Sequence, residues 1–419
     1  MSRTKNPRFF YGYFIVLAAS LVFITVGAAF FGFGVYFEPL LAEFGWSRAA
    51  ASGAYSAFLL LQGLLGLVMG RLTDKFGPRL VVVIAAVFLT TGYLLMSRLG
   101  TMWQFYLSYG LIIGVGMSAT WIPLLSTVAR WFTKGRGLMT GVTVSIANLS
   151  MLVWPPLTSW LISNYDWRTS YVITGAVTFI VVMVAIPFLR RDAGQMGLTP
   201  YGEGEETTEA SSLGVREISL SNALRTSQLW LLCAIFFGLW LVAFTIPVHF
   251  VIYATSLGIS LSSAVNVLAV AGASTFGGIV VGFIDDKIGN KKTVVIICIL
   301  SLVSLVWLLV AKELWMLYLF AVIFGVVFCG AMILQSPMVA DLFGLRSHGE
   351  IFGVIFLASM VGSAIGPVMA GYIFDVTNSY QLAFLILIAL SLISLILALL
   401  LKPINLERKI HRFTPIGKE

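Results

Sequence analysis

Twelve long apolar segments, separated by short polar connections, constrain this chain more than any other feature of its sequence. They lie at about 10–37, 51–69, 80–97, 103–128, 138–161, 170–189, 229–255, 264–284, 293–311, 313–339, 351–374 and 381–401. A helix needs roughly 20 apolar residues to cross the hydrocarbon core of a bilayer. The segments therefore predict an all-α membrane protein with twelve transmembrane helices.

The composition excludes a soluble globular protein. Hydrophobic residues make up 59% of the chain and charged residues only 11%, whereas soluble domains carry about 25% charged residues. The net charge of +8 does not indicate nucleic-acid binding, because the bases lie in loops between apolar segments instead of forming a patch with aromatic residues. We expect the lipid bilayer as a partner, no nucleic acid, and no disulfide among three cysteines that all lie in apolar segments.

A ten-residue motif occurs twice, which indicates an internal duplication. GRLTDKFGPR at 70–79 returns as GFIDDKIGNK at 282–291, an offset of 212 residues, and each copy follows an apolar segment. We therefore predict two pseudo-symmetric six-helix bundles, with the N-terminal bundle at 1–189 and the C-terminal bundle at 228–402. They are joined by a polar cytoplasmic linker at 190–227 and followed by a cytoplasmic tail at 403–419. The end of the linker, 215–229, is predicted to form a short amphipathic helix on the membrane surface.

The two motif copies are candidate conformational loops. Glycines permit tight turns, and an acid beside bases can hold neighbouring helix ends in place electrostatically. A generic basic turn explains either copy alone, but two copies at one offset favour the functional interpretation. The predicted loop residues are Gly70, Asp74, Lys75, Gly77 and Arg79 in the first copy, and Gly282, Asp286, Lys287 and Gly289 in the second.

The distribution of basic residues predicts the orientation in the membrane. Of the 26 lysines and arginines, all but four fall on one side of the twelve-helix arrangement. The four exceptions are Arg48, Arg98, Arg168 and Lys312. Because basic loops stay in the cytoplasm, both termini are predicted to be cytoplasmic. We expect a multi-pass protein of the cell (inner) membrane.

The duplicated loop, the two halves and the polar centre resemble the major facilitator superfamily over essentially the whole chain. The stretches YGYFIVLAAS, EFGWSRA, ARWFTKGRGLMTG, NALRTSQLW and VHFVIYATSLGIS are similar to the bacterial oxalate/formate antiporter and monocarboxylate porter group. In that group a helix-eight arginine is a cationic partner for a carboxylate substrate. Here the segment reads GGIVVGFIDDKIG, and Gly278 stands at that position.

A few polar and aromatic residues inside the segments are candidates for a transport site. An ionisable group within a bilayer is costly and is therefore a functional hypothesis, so His249 and Glu38 are the predicted proton-coupling groups. Structural roles, as a hydrogen-bonded histidine and an interfacial acid, are the alternatives. The predicted substrate-binding residues are Phe31, Trp121, Asn148, His249, Tyr253 and Gln335. Helix packing is the alternative for Trp121, Asn148, Tyr253 and Gln335, and contact with lipid is the alternative for Phe31.

The sequence contains no motif of an enzyme, an ATPase or a metal site, so we predict no enzymatic activity and no cofactor. We interpret the chain as a monomeric secondary active transporter. Its predicted substrate is a small organic acid anion, monocarboxylate-like, moved by proton symport or exchange. An exporter of apolar or neutral compounds is the alternative within transport, and a non-transporting membrane sensor is the alternative from another class.

Overall fold

The computed structural model describes residues 10–132, 136–202, 218–344 and 347–402. For a few residues within these ranges it describes the backbone but not the side chain. The first six helical units are α1 (Gly12–Phe44), α2 (Arg48–Phe76), α3 (Pro78–Met96), α4 (Met102–Trp131), α5 (Arg136–Asn148 and Ser150–Asn164) and α6 (Trp167–Phe188). The other six are α7 (Ser227–Ser256), α8 (Leu261–Ser274 and Gly277–Ile288), α9 (Asn290–Val310), α10 (Leu314–Phe343), α11 (His348–Thr377) and α12 (Gln381–Leu400).

These helices confirm the predicted all-α membrane fold. Among the described residues, eleven helices are long and apolar enough to cross a membrane, and α5 consists of two shorter pieces that meet at Leu149. The helix expected over 215–229 was wrong as a continuous element. Within its described part only the turn Leu220–Ala223 is helical before α7 begins at Ser227, where the Thr226 hydroxyl accepts a hydrogen bond from the Leu229 amide.

The two copies of the duplicated motif have the same backbone conformation. Gly77 joins α2 to α3 with a φ of 85°, and Gly289 joins α8 to α9 with a φ of 88°. An L-amino acid with a side chain is strained at this φ, so both turns require glycine. In the first copy, Arg79 Nε donates to the Leu189 carbonyl (2.7 Å) and its Nη2 to that of Pro187, which ties the start of α3 to the end of α6. The side chains of Asp74 and Asp286 lie outside the described residues.

The described ends of the linker attach to equivalent positions of the two halves. The Tyr201 amide donates to the Trp131 carbonyl at the end of α4 (3.0 Å), and the Ile218 amide donates to the Phe343 carbonyl at the end of α10 (3.1 Å). Trp131 and Phe343 are 212 residues apart, which is the offset of the duplicated motif. The linker centre, the Arg346 region and the tail at 403–419 lie outside the described residues.

The most extensive packing between the two halves is that of α2 with α11, α5 with α8, and α1 with α7. Gly272 of α8 lies directly against the backbone of Met151 and Leu152 in α5, so that a methyl group there would overlap main-chain atoms. We call the end of the molecule that carries Gly77 and Gly289 the turn end. The end that carries Ser47 and Asn378 is the opposite end.

Candidate functional site

A cavity of about 40 Å³ lies between the two halves at the centre of the molecule. Its walls come from both halves and are mainly aromatic and apolar. The lining residues are Phe23, Val26, Gly27, Phe30, Phe31, Gln62, Met117, Trp121, Ala147, Asn148, Ser150, Trp240, Phe244, Phe328, Met332, Phe356 and Met360. No lysine, arginine, aspartate or glutamate is among these described lining residues.

Interruptions in four helices lie beside the central cavity. α1 is broken at Gly27, α4 just before Trp121, α5 at Leu149 between Asn148 and Ser150, and α10 at Leu334. Interrupted helices within a membrane protein are tolerated where the freed backbone groups line a cavity or find new partners. In α1 the Ile24 carbonyl accepts a hydrogen bond from Trp154 Nε1 of α5 (2.6 Å). The interruptions therefore shape the walls of the cavity.

A larger vestibule of about 370 Å³ continues from the central cavity toward the turn end. The two spaces share Trp121, Trp240, Met332 and Phe356. Its other walls come from the turn-end parts of α4, α5, α10 and α11, and the lining residue Ser336 is exposed. The vestibule gives the central cavity a route to the turn end.

Aromatic contacts between the halves close the central cavity toward the opposite end. Phe30 of α1 lies 5.9 Å from Phe244 of α7, and Phe31 of α1 lies 5.8 Å from Phe328 of α10, measured between ring centroids. Phe244 and Phe328 are in turn 5.8 Å apart. These four rings form an apolar barrier, which we call the phenylalanine barrier.

Main-chain contacts hold the halves together beyond this barrier. The amides of Arg48 and Ala49, at the start of α2, donate to the two carboxylate oxygens of Asp375 in α11, at 2.9 and 2.7 Å. In α1, Gly34 lies against the carbonyl oxygen of Pro247 in α7, where no side chain would fit. The molecule is thus closed at the opposite end and accessible at the turn end.

His249 belongs to this closed region and not to the central cavity. It is 2% exposed, and its Nε2 donates to the Pro367 carbonyl (2.8 Å), since a carbonyl can only accept. Its Nδ1 then accepts from the Tyr380 hydroxyl (3.0 Å), and the Ser52 hydroxyl lies 3.4 Å from Nε2. A neutral imidazole therefore satisfies both ring nitrogens and joins α7 to α11, to α2 and to Tyr380, the residue before α12.

The other predicted site residues fall into three groups. Phe31, Trp121 and Asn148 line the central cavity, and Gln335 lines the vestibule, where its Nε2 donates to the Ser359 hydroxyl at 2.8 Å. Tyr253 donates to the Leu308 carbonyl (3.2 Å) and lines neither space. Glu38 is exposed in a separate cleft of about 290 Å³ beside Thr255 and Leu261.

The surroundings of Gly278 show what occupies the place of the expected arginine. A methyl group built on Gly278 would overlap Cys329 Sγ of α10 and would lie 2.9 Å from Ile333 Cδ1. The same sulfur atom is 3.6 Å from Asn148 Nδ2 on α5. A cysteine and an amide therefore fill the region near position 278.

Several residues that build the site were missed from the sequence. Gln62 and Trp240 line the central cavity, and Asp375 closes the opposite end. Only the polarity of Gln62 within its apolar segment would have indicated it, because Asp375 follows the segment 351–374 and Trp240 looks like an ordinary apolar residue. Among the described residues, no group of three histidine, cysteine, aspartate or glutamate side chains is placed to hold a metal ion.

Comparisons with known proteins agree with this architecture. Monocarboxylate transporter 13 of Rattus norvegicus is 27% identical over 391 residues, covering 92% of this chain and 87% of that protein. The Oxalate:formate antiporter of Oxalobacter formigenes is 26% identical over 422 residues, covering 97% and 95%. A solved structure of a bacterial homolog to the human lysosomal transporter Spinster, inward-facing and unoccupied, superposes with a TM-score of 0.71 at 14% identity, covering 96% and 98%.

The two sequence relatives are transporters by name, which supports the prediction that this chain is not an enzyme. The structural likeness, at its low sequence identity, shows the fold alone. The family model of the Major Facilitator Superfamily matches residues 19–282 and 267–415, which together span most of the sequence. The chain is a membrane-spanning transporter that belongs to the Major Facilitator Superfamily.

Proposed function

We propose that this protein is a secondary active transporter that moves small organic acids of the monocarboxylate type across the cytoplasmic membrane. The observation that carries the proposal is a central cavity formed by both halves, closed toward the opposite end and continuous with a vestibule at the turn end. Rocking of the halves would expose this cavity to each side in turn. The names of the relatives support the substrate class.

The cavity walls favour a substrate with a small polar head and an apolar body. Aromatic and methionine side chains suit an apolar group, while Gln62, Asn148 and Ser150 offer a few neutral polar groups. With Gly278 in place of the expected base, no described lining residue supplies a positive charge. Very hydrophilic dianions therefore fit this cavity less well than monocarboxylates.

The same walls favour one alternative, an exporter of apolar or neutral compounds. A cavity without charged lining residues does not require an ionised substrate. The two proposals differ in what competes for the site. An exporter of this kind binds uncharged aromatic compounds and ignores short-chain acids, whereas a monocarboxylate transporter is inhibited by such acids.

We propose proton symport or exchange as the energy source. Of the two proton-coupling groups predicted from the sequence, Glu38 is exposed outside the central cavity, and His249 has both nitrogens engaged in the closed state. They are the two candidates for a proton site on the protein itself. A proton site works only if its proton affinity differs between the two access states, and the contacts of His249 at the closed end give it a reason to differ.

We propose that the turn end faces the cytoplasm, with both termini on that side. A cysteine-free background, made by replacing Cys233, Cys298 and Cys329, allows single cysteines to be placed at each end. A cysteine at Ser379 is expected to react with an impermeant maleimide on intact cells, and one at Lys75 only after permeabilisation. The reverse pattern would refute the orientation.

Transport is tested with purified protein in proteoliposomes. An imposed pH gradient, acidic outside, is expected to drive accumulation of labelled lactate or pyruvate, with labelled formate and oxalate as smaller and dianionic comparisons. Accumulation that disappears with a protonophore would support proton symport, whereas accumulation that requires substrate loaded inside would support exchange. If no acid is transported or exchanged under either condition, the monocarboxylate proposal is wrong.

A further inference from the structure

Two unpaired polar atoms distinguish the walls of the central cavity. Among the described residues, several buried side-chain polar atoms have no hydrogen-bond partner, and the two that belong to lining residues of this cavity are Gln62 Oε1 and Trp240 Nε1. Gln62 is 5% exposed and Trp240 is 3% exposed. Buried polar groups are normally hydrogen-bonded, so these two atoms in the walls of one cavity each need a partner, which a bound substrate can supply.

The two groups come from opposite halves and are held by packing. Trp240 of α7 stacks on Phe244 with ring centroids 5.4 Å apart, and its edge meets Phe356 at 5.7 Å. Gln62 lies on α2 next to Gly63, whose position packs against the Met360 side chain of α11. A ligand that joins them would therefore join the N-terminal half to the C-terminal half.

The pair consists of one acceptor and one donor, which matters for the form of acid that it can bind. An indole N–H only donates and an amide oxygen only accepts. With the Gln62 amide oriented as it is here, a carboxylate anion, which has acceptors alone, can pair with Trp240 but would place negative charge against Gln62 Oε1. A protonated carboxyl group offers an O–H donor and a C=O acceptor, which complements both atoms.

The described lining residues carry no charge, which also favours the protonated form of the acid. Transfer of an ionised carboxylate into an apolar space is very costly unless a cation pairs with it, and the described walls contain none. A neutral carboxyl group requires only its hydrogen bonds. The cavity of about 40 Å³ has room for a group of this size, since one water needs about 10–15 Å³ on this measure.

We propose that the central cavity binds its substrate as the neutral, protonated acid. The acid O–H donates to Gln62 Oε1, and the acid C=O accepts from the Trp240 indole N–H. This inference rests on the proposed transport of monocarboxylates and specifies the form that is bound. One anion and one proton combine on the entry side, the neutral acid crosses, and it dissociates into the same anion and proton on release. In this cycle the proton crosses on the acid itself, and this coupling takes the place of a proton site at His249 or Glu38.

Carboxamides provide the direct test, because they carry a donor and an acceptor in the same arrangement and do not titrate. Lactamide is expected to inhibit labelled lactate transport with the same inhibition constant at pH 6 and pH 8. The KM for total lactate is expected to rise about tenfold per pH unit over this range, because the neutral fraction falls tenfold. Ethanesulfonate, which stays anionic, is expected not to compete.

Two conservative substitutions test the residues themselves. Trp240→Phe keeps a ring against Phe244 and Phe356 but removes the N–H, and Gln62→Met keeps the length of the side chain but removes the acceptor. Each is expected to raise both the KM for lactate and the inhibition constant for lactamide about tenfold. Trp160→Phe is the control, because Trp160 is exposed on the periphery and should change neither constant. Thermal unfolding of the detergent-purified variants confirms that they are folded.

The outcomes separate this inference from the proposed function. If acids are transported but lactamide does not compete, or if ethanesulfonate competes as well as lactate, the protonated-acid site is wrong and the transport proposal stands. Unchanged constants in folded Trp240→Phe and Gln62→Met would mean that the two atoms are served by water alone, which also refutes it. If neither acids nor carboxamides bind, both proposals fail.

Discussion

Asp375 offers the sharpest test of how the opposite end is held closed. The first amides of a helix have no partner within the helix. In α2, those of Arg48 and Ala49 donate to the Asp375 carboxylate of the other half, while the Ala50 amide donates to the Ser47 hydroxyl of the same half. Asp375 therefore caps α2 across the interface, and we expect this cap to break when the opposite end opens.

The size of the effect follows from these contacts. Replacing a capping side chain by alanine costs about 0.5–2 kcal/mol, and a carboxylate at a helix N-terminus adds about 0.3–1 kcal/mol when it is exposed, as Asp375 is. We therefore expect Asp375→Ala to destabilise the closed state by about 2 kcal/mol. Because 1.4 kcal/mol corresponds to a factor of ten, the ratio of closed to open molecules at this end should fall roughly thirtyfold.

Pulsed electron paramagnetic resonance can measure this population shift. Spin labels at Arg98 and Lys312 lie in exposed loops of the two halves at the opposite end, and their separation should increase in Asp375→Ala. Asp166→Ala is the matched control, because Asp166 caps α6 within its own half by accepting from the Thr169 amide at 2.7 Å. A distance distribution that is the same for both variants would refute a cross-interface role for Asp375.

Three further predictions test other contacts. Asp74→Asn and Asp286→Asn are each expected to lower the transport rate about tenfold without lowering the amount of protein in the membrane, and full rates in both would make the duplicated motifs plain turns. Gly34→Val should separate α1 from Pro247 and lengthen the distance between the opposite-end labels, a result that an unchanged distribution would contradict. His249→Gln should slow turnover but retain accumulation driven by a pH gradient, because the proton travels on the acid. If accumulation is lost while exchange persists, His249 is the proton carrier.

The membrane-spanning fold could be predicted because the bilayer permits very few kinds of backbone structure. Backbone groups in lipid must pair within their own segment, so apolar segments of sufficient length become helices. The duplication could also be recognised from the offset of 212 residues between the motifs, since Gly77 and Gly289 occupy equivalent turns in the two copies. The interruption at Leu334 has a local cause, because Pro337 cannot donate to the Ile333 carbonyl. The interruption at Leu149 was not visible, because no breaker residue stands at that position.

The candidate site could be predicted only in part. Aromatic and amide residues at mid-segment depth were reasonable candidates, and Phe31, Trp121 and Asn148 indeed lie together. His249 was predicted to belong to the same site because the sequence indicates how far along its helix the residue lies but not which way its side chain points. Asp375 was not predictable, since the amides that it binds are more than 300 residues away in sequence. Tertiary contacts of this range leave no local pattern.

Three helices explain why occupation of the centre and closure of the opposite end are linked. α7 carries Trp240 and Phe244 at the cavity, and less than three turns later Pro247 and His249 at the closed end. α2 likewise carries Gln62 and the amides that Asp375 binds, and α11 carries both Phe356 and Asp375 itself. A helix transmits a displacement along its length because its backbone is internally bonded. A substrate that draws α2 and α7 together at the cavity therefore acts on the same two helices that close the opposite end, so the energy of binding can change which end is open.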